Sequence, residues 1–292
     1  MRNHNRRDTR GHLLLSAGKY LEHLSPKRQE LIRPVLENPR EFVLLSARSL
    51  AHRLHVDPAT AVRVVLNMGF ASYRDFQHYL HELSISQATS LDTMHANKAN
   101  WPSLPSRVRQ AVDHNLENLH RLRNSLDYHR VAALAKRIHA ARRTMIFGGD
   151  LAAVLVEYLQ YHLRFLGFPV LGSTSTGETL HLAQAASRKD LVIALSFRRG
   201  LRQTVEGMQQ ACVNGAYCVG ITDSLISPIA RFAHESFITS VESPSFAASY
   251  VAPICLLEAI VAACGYYPSA SVRELLRKNA AEQRHGFRWY KE

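Results

Sequence analysis

From about Leu13 to Leu83, apolar residues recur every three to four positions, the spacing of helices that bury one face. Ser25-Pro26 and Asn38-Pro39 read as the start and stop of one such helix. The stretch LSARSLAHRLHVDPATAVRVVLNMGF, residues 45–70, predicts two short helices joined by a tight turn. Ser46 is placed to cap the first, on which Leu50, Ala51 and Leu54 form an apolar stripe, and Val56 follows as a buried plug. Asp57 caps the second, with Pro58 at its first position. His55 occupies the turn, where a left-handed backbone is tolerated by His better than by branched residues. Ala61, Val64 and Val65 face inward, and Gly69 ends the helix. From Ser72, SYRDFQHYLHEL makes another amphipathic helix with Tyr73, Phe76 and Leu80 inside.

Residues 85–105 are rich in Ser, Thr, Asn and Pro and read as a linker. Helical periodicity resumes over 107–126 and again over 128–141. After Arg143 the pattern changes to short apolar runs alternating with helices: TMIFGG, FPVLG, DLVIALSF, AYCVGITD and HESFITS. Such alternation predicts a mainly parallel sheet covered on both faces. Ligands of these sheets bind beyond the carboxyl ends of the strands. Four loops therefore stand out: FGGD (147–150), GSTSTGE (172–178), SFRRG (196–200) and TDSLISP (222–228).

Thr60, Arg63 and Asn67 share the outer face of the second short helix, where a helix-turn-helix reads DNA. Thr60 and Arg63 are candidates for base or groove contacts. Ser46, Arg48, Ser49, Pro58, Tyr73 and Arg74 surround them, and the phosphate contacts fall to Ser46, Arg48, Ser49, Tyr73 and Arg74. Charge agrees with this reading. Residues 1–145 carry 23 Lys and Arg against 12 Asp and Glu, whereas residues 146–292 carry 13 against 12. Nearly all of the +12 net charge thus lies beside the DNA-reading element, the electrostatic footprint of a polyanion partner. The four cysteines, Cys212, Cys218, Cys255 and Cys264, lie in mostly apolar segments without Cys-x-x-Cys spacing. Buried reduced thiols are expected, with no metal or other cofactor. The basic, polar amino terminus lacks a signal-peptide core, and no apolar run reaches membrane-spanning length, so a cytoplasmic protein with no membrane partner is expected.

The two halves together resemble the RpiR-type family of bacterial transcriptional regulators. The front carries the resemblance through LSPKRQELIRPVLENPREFVLLSARSLAHRLHVDPATAVRVVLNMGFASYRDF, and the back through RRTMIFGG, HLRFLGFPV, DLVIALSF and CVNGAYCVGITDSLISPIARFAHESFI. The resemblance implies an all-helical helix-turn-helix domain followed by a sugar-isomerase-type (SIS) domain, a three-layer α/β/α unit that senses a small phosphorylated metabolite. The expected division is a basic tail (1–12), the helix-turn-helix domain (13–84), the linker, the SIS domain with its leading helices (106–285) and a tail (286–292). Double-stranded DNA bearing an inverted repeat and a homodimer or homotetramer are the expected partners.

The departures from the family lie in the effector loops. Gly148 keeps the first glycine of the family's Gly-x-Gly-x-Ser, but Asp150 replaces the second and Ala152 the serine. In the next loop only Ser196 survives of Ser-x-Ser-Gly-x-Thr, and Arg198 and Arg199 stand where serine and glycine are usual. Gly148, Gly149, Asp150, Ser173, Thr174, Ser196, Arg198, Arg199 and Thr222 are the candidate effector residues. Two guanidinium groups suit a carboxylate as well as a phosphate, so the expected effector is a small anion of either kind. The same arginines could instead contact a partner subunit. The competing function is a sugar-phosphate isomerase, for which Glu178 and His181 would be the candidate acid–base pair.

Overall fold

The computed structural model describes residues 20–43, 45–86, 103–225, 227–245, 247–266 and 270–286. The basic tail, residues 87–102 of the expected linker and residues 287–292 of the expected carboxyl-terminal tail lie outside the described residues. The amino-terminal helices are α1 (Pro26–Glu37), α2 (Pro39–Phe42), α3 (Ala47–Arg53), α4 (Pro58–Asn67) and α5 (Tyr73–Ser86). Ser25 precedes α1 with Pro26 in the first turn, and Asn38 ends the helix, as the Ser-Pro and Asn-Pro pairs predict. Ile32, Val35, Leu36, Leu50, Val64, Val65, Phe76 and Leu80 meet in one core, closed on one side by Tyr20, Phe70 and Tyr79 rings in contact. Leu54, Val56 and Tyr73 are only half-buried, less than their sequence positions suggest.

Two long helices, α6 (Leu104–Ser125) and α7 (Tyr128–Ala140), lead to the second domain. There follow β1 (Arg143–Phe147), α8 (Ala153–Phe165), β2 (Val170–Ser173), α9 (Thr176–Gln184), β3 (Asp190–Leu195), α10 (Arg202–Val213), β4 (Tyr217–Thr222), β5 (Glu235–Ile238), α11 (Val251–Gly265) and α12 (Ala270–His285). The five strands form one fully parallel sheet in the order β2-β1-β3-β4-β5.

Strand β3 shows why two helical layers are needed, since all six of its residues are buried. Leu191, Ile193 and Leu195 enter the core made with α7, α8 and α11, while Val192 and Ala194 enter the opposite core with Ala183, Met208 and Ala211 of α9 and α10. The start of β3 is fixed by charge: Asp190 takes two hydrogen bonds from Arg142 at 2.7 and 3.0 Å and two from Ser187, one from its hydroxyl and one from its backbone N–H. Burial raises the Asp190 carboxyl, but these bonds and the nearby Arg143 outweigh it and hold the pKa below the ordinary carboxylate range.

The expectation of four buried thiols needs correction. Cys218 and Cys264 are buried and burial pushes both up to about 12, but Cys212 is half-buried and Cys255 exposed. Cys212 and Cys255 sit on helix flanks that the apolar character of their segments does not distinguish from the core side. Among the described residues no helix is long and apolar enough to cross a membrane.

Candidate functional site

The two short helices form the expected hairpin. Ser46 accepts the backbone N–H of Ser49 at 3.1 Å and caps α3. His55 turns the chain with φ 56°, a left-handed conformation that an imidazole side chain tolerates. Asp57 accepts the Thr60 N–H at 2.8 Å and its hydroxyl at 2.5 Å, and these bonds hold the Asp57 carboxyl below its ordinary value. Ala61, Val64 and Val65 are buried, which turns the other face of α4 outward. Arg63 and Asn67 are exposed and Thr60 half-buried. Arg63 donates to Thr60 Oγ1 at 3.2 Å, so the two candidate base readers form one surface unit anchored on the cap. Arg48, Ser49, Pro58 and Arg74 are exposed around it. The Tyr73 hydroxyl donates to Leu45 O at 2.8 Å, and burial pushes its pKa up to about 12. Nearby Arg53 is engaged elsewhere, pairing with Glu41 at 2.7 Å and lying over the Phe42 ring.

The second constellation gathers where strand order reverses. The chain steps from β1 out to β2, then back across β1 to β3, so the loops after β1 and β3 diverge at the carboxyl edge. That switch point is where parallel sheets of this order hold ligands. Gly148 is buried there, and a Cβ on it would fall 2.7 Å from Val156 Cγ2 and 3.3 Å from Leu195 O. A Cβ on Gly149 would meet Gln203 and Leu201 side-chain atoms at 2.8 Å. Both glycines therefore serve close packing as well as an open backbone.

Asp150 and Arg198 are non-glycine residues with left-handed backbone, φ 52° and 59°, on either side of this edge. Strain of this kind concentrates at ligand sites. Among the described residues, Asp150 forms no ion pair with Arg198 or Arg199. The backbone N–H of Arg198 instead donates to Asp223 Oδ1 at 2.9 Å, which ties the loop after β3 to the loop after β4. Burial drives the Asp223 carboxyl above its ordinary value, against the pull of that N–H and the Arg198 charge. Arg198 and Arg199 side chains are exposed, and Ser196 is buried with its N–H on Ile221 O at 3.1 Å.

Ser173 and Thr222 lie beneath this surface rather than on it. Ser173 is buried with its hydroxyl 2.9 Å from Thr179 Oγ1, and Thr222 is fully buried. Thr174 is half-buried, and its carbonyl accepts Gln203 Nε2 at 2.9 Å. Three residues join the constellation without having been singled out in the sequence: Gln203, Asp223 and Tyr250. Gln203 also accepts the Thr176 hydroxyl at 2.6 Å. Burial pushes Tyr250 up to about 12, with the Asp223 and Asp150 charges adding to the rise, and its ring packs 5.1 Å from Phe197. The motif TDSLISP pointed at Asp223, but only the fold shows its carboxylate reaching Arg198.

The helical domain with its two-helix hairpin and the parallel-sheet domain each have counterparts among known proteins. Residues 137–263 match the SIS domain family, so the second domain is a SIS domain. The chain is similar to an uncharacterized HTH-type transcriptional regulator of Haemophilus influenzae, 26% identical over 230 residues that cover 76% of this chain and 78% of that protein. It is similar in structure to the sugar isomerase domain of an RpiR transcription factor from Sphaerobacter thermophilus, with TM-score 0.56 and 26% identity over 61% of this chain and 98% of that one. The Vibrio vulnificus NanR protein, complexed with ManNAc-6P, shares the fold over 92% of this chain and 96% of its own, with TM-score 0.54 and 21% identity. The chain is thus similar over about three quarters of its length to an HTH-type transcriptional regulator, and its second domain carries the SIS match.

Proposed function

We propose that the chain binds an inverted-repeat operator as a homo-oligomer and that a small anion at the β1/β3 switch point modulates this binding. The observation that carries the effector half is the convergence of Gly148, Gly149, Arg198 and Asp223 at that edge. The exposed Arg198 and Arg199 guanidiniums supply anion donors. A phosphate or carboxylate group satisfies them. Exposed apolar surface supports the oligomer: among the described residues Leu104, Val108, Val112 and Leu116 lie four apart along α6 and are all more than half exposed.

The route from pocket to DNA runs along the loop after β4. Asp223 opens it, and a 3-10 turn at Pro228–Arg231 follows. Arg231 then reaches the amino-terminal domain, pairing with both Glu30 carboxylate oxygens at 2.8 and 2.9 Å. An anion that pulls Arg198 away from Asp223 changes this loop, and through Arg231 the seating of α1. Exposure weighs against the isomerase reading. Glu178 and His181 are both exposed on α9, and the base of a proton-transfer site would need to face the substrate carbon from a site sheltered from water.

Calorimetric titration of the full chain with hexose phosphates and with dicarboxylates tests the reading. One class binds at micromolar to millimolar concentration, and the Arg198→Ala/Arg199→Ala variant loses that binding. Undiminished affinity in the double variant refutes direct contact by these arginines.

A further inference from the structure

At the opposite edge of the same sheet, where β4 begins rather than ends, three metal-ligand side chains converge from different elements. Cys212 comes from the last turn of α10, Cys218 is the second residue of β4, and His234 immediately precedes β5. Their sulfur and ring-nitrogen atoms all lie within 4.8 Å of one another. We propose that Cys212, Cys218 and His234 form a binding site for a soft divalent cation of the zinc type, separate from the effector pocket.

The chemistry of the donors selects this class. Two thiolates and one imidazole are the ligand set of zinc-type cations, not of hard cations, which take oxygen. Around a tetrahedral zinc, bond lengths of about 2.3 Å to sulfur and 2.0 Å to nitrogen place ligand atoms roughly 3.4–3.8 Å apart. The observed set therefore needs a contraction of at most about 1 Å, within reach of side-chain rotation at half-buried Cys212 and exposed His234. Water fills the fourth position.

The backbone already holds the imidazole beside the thiol. His234 N–H donates to Cys218 O at 2.8 Å, and Cys218 N–H donates to His234 Nδ1 at 3.0 Å. Nδ1 is thus unprotonated but engaged by this N–H, so a cation binds the ring by replacing the Cys218 N–H at Nδ1. The ring is further fixed by stacking on Tyr217 at 4.9 Å, and Arg137 lies 3.7 Å over the same tyrosine. Burial and the neighbouring Cys212 push the Cys218 thiol up to about 12. Cation binding releases both thiol protons to solvent, and the two sulfur charges then balance the divalent ion. Sequence spacing hides the site, because the ligands stand at intervals of six and sixteen residues with a helix end and a strand between them.

Titration of the reduced, chelator-treated full chain with Co²⁺ is the test, since cobalt reports its ligands by absorption. Sixteen histidines make adventitious binding through nitrogen an expected background, and only sulfur ligation gives a thiolate-to-cobalt charge-transfer band. The expected result is one equivalent of cobalt with that band, displaced by Zn²⁺, and a rise in Tm on adding Zn²⁺. Cys212→Ser and His234→Ala should each weaken binding at least tenfold and abolish the Tm rise, while Cys255→Ser changes neither. Cys212 and His234 are chosen because Cys218 is part of the core, and its replacement risks the fold. Cobalt binding without the sulfur band, binding unchanged in the Cys212→Ser/His234→Ala variant, or thiols found joined as a disulfide in freshly isolated protein would each overturn the proposal.

Discussion

Asp223 is the residue whose environment most nearly contradicts its charge. Its carboxyl is driven above the ordinary value by burial, so the folded state favours the neutral form. A carboxyl shifted this way gives stability that is full below its unfolded pKa and is lost as pH rises. Asp223→Asn keeps the acceptor for Arg198 N–H and removes the charge. We expect the variant to have a higher Tm than the parent at pH 7, with the gap closing as pH falls toward about 4. A less stable variant at pH 7 would mean that the ionised carboxylate is held by Arg198 more strongly than burial opposes it. Residue-scale legibility was uneven. His55 could be placed in the turn because the constraint is local: a tight turn between two capped helices needs a residue that accepts positive φ. Asp223, Gln203 and Tyr250 could not be brought together, because they come from three elements whose adjacency depends on strand order. The hydroxyl of Ser173 looked available in a Ser-Thr loop, yet Thr179 six residues on engages it.

At the scale of elements, helix α4 rests on its cap. Asp57→Ala removes the acceptor for two Thr60 bonds and should lower stability, measured by chemical denaturation of the full chain. Arg63→Ala should leave stability unchanged and weaken operator binding by about 1–3 kcal/mol, relaxing preference at one base position. Equal weakening on every sequence would assign Arg63 to phosphate instead. The junction before β3 makes a parallel case. Asp190→Asn gives up charged hydrogen bonds from Arg142 and should cost about 2 kcal/mol, an unfolding measurement that Arg142 exposure makes smaller than for a fully buried pair. Leu116→Glu should shift the chain toward monomer in size-exclusion chromatography if the exposed α6 face joins copies of the chain. Elements were legible because periodicity and punctuation act locally: Ser-Pro, Asn-Pro, Asp-Pro and Gly each mark a boundary through backbone sterics. Strand order was not, since β3 is apolar at all six positions and carries no sign of which neighbours it will take.

For the whole molecule, the division of charge is the governing fact. The front half bears nearly all of the +12, so duplex affinity should fall steeply with salt, and Arg74→Ala should lower that slope by about one phosphate contact. The second half is close to neutral, and the Arg231–Glu30 pair connects it to the amino-terminal helices. That pair is too exposed to hold the domains together by itself, contributing at most about 1 kcal/mol, but its loss should uncouple them. Arg231→Ala is expected to bind DNA and effector separately and to lose most of the influence of one on the other. The most direct measurement is the affinity of the full chain for an operator duplex, by fluorescence anisotropy, with and without a saturating anion identified by calorimetry. The account predicts salt-sensitive binding that the anion changes by roughly 5- to 150-fold, the range of a coupling of 1–3 kcal/mol. Binding that ignores salt, or an anion that occupies the switch-point pocket and leaves operator affinity untouched, would contradict it.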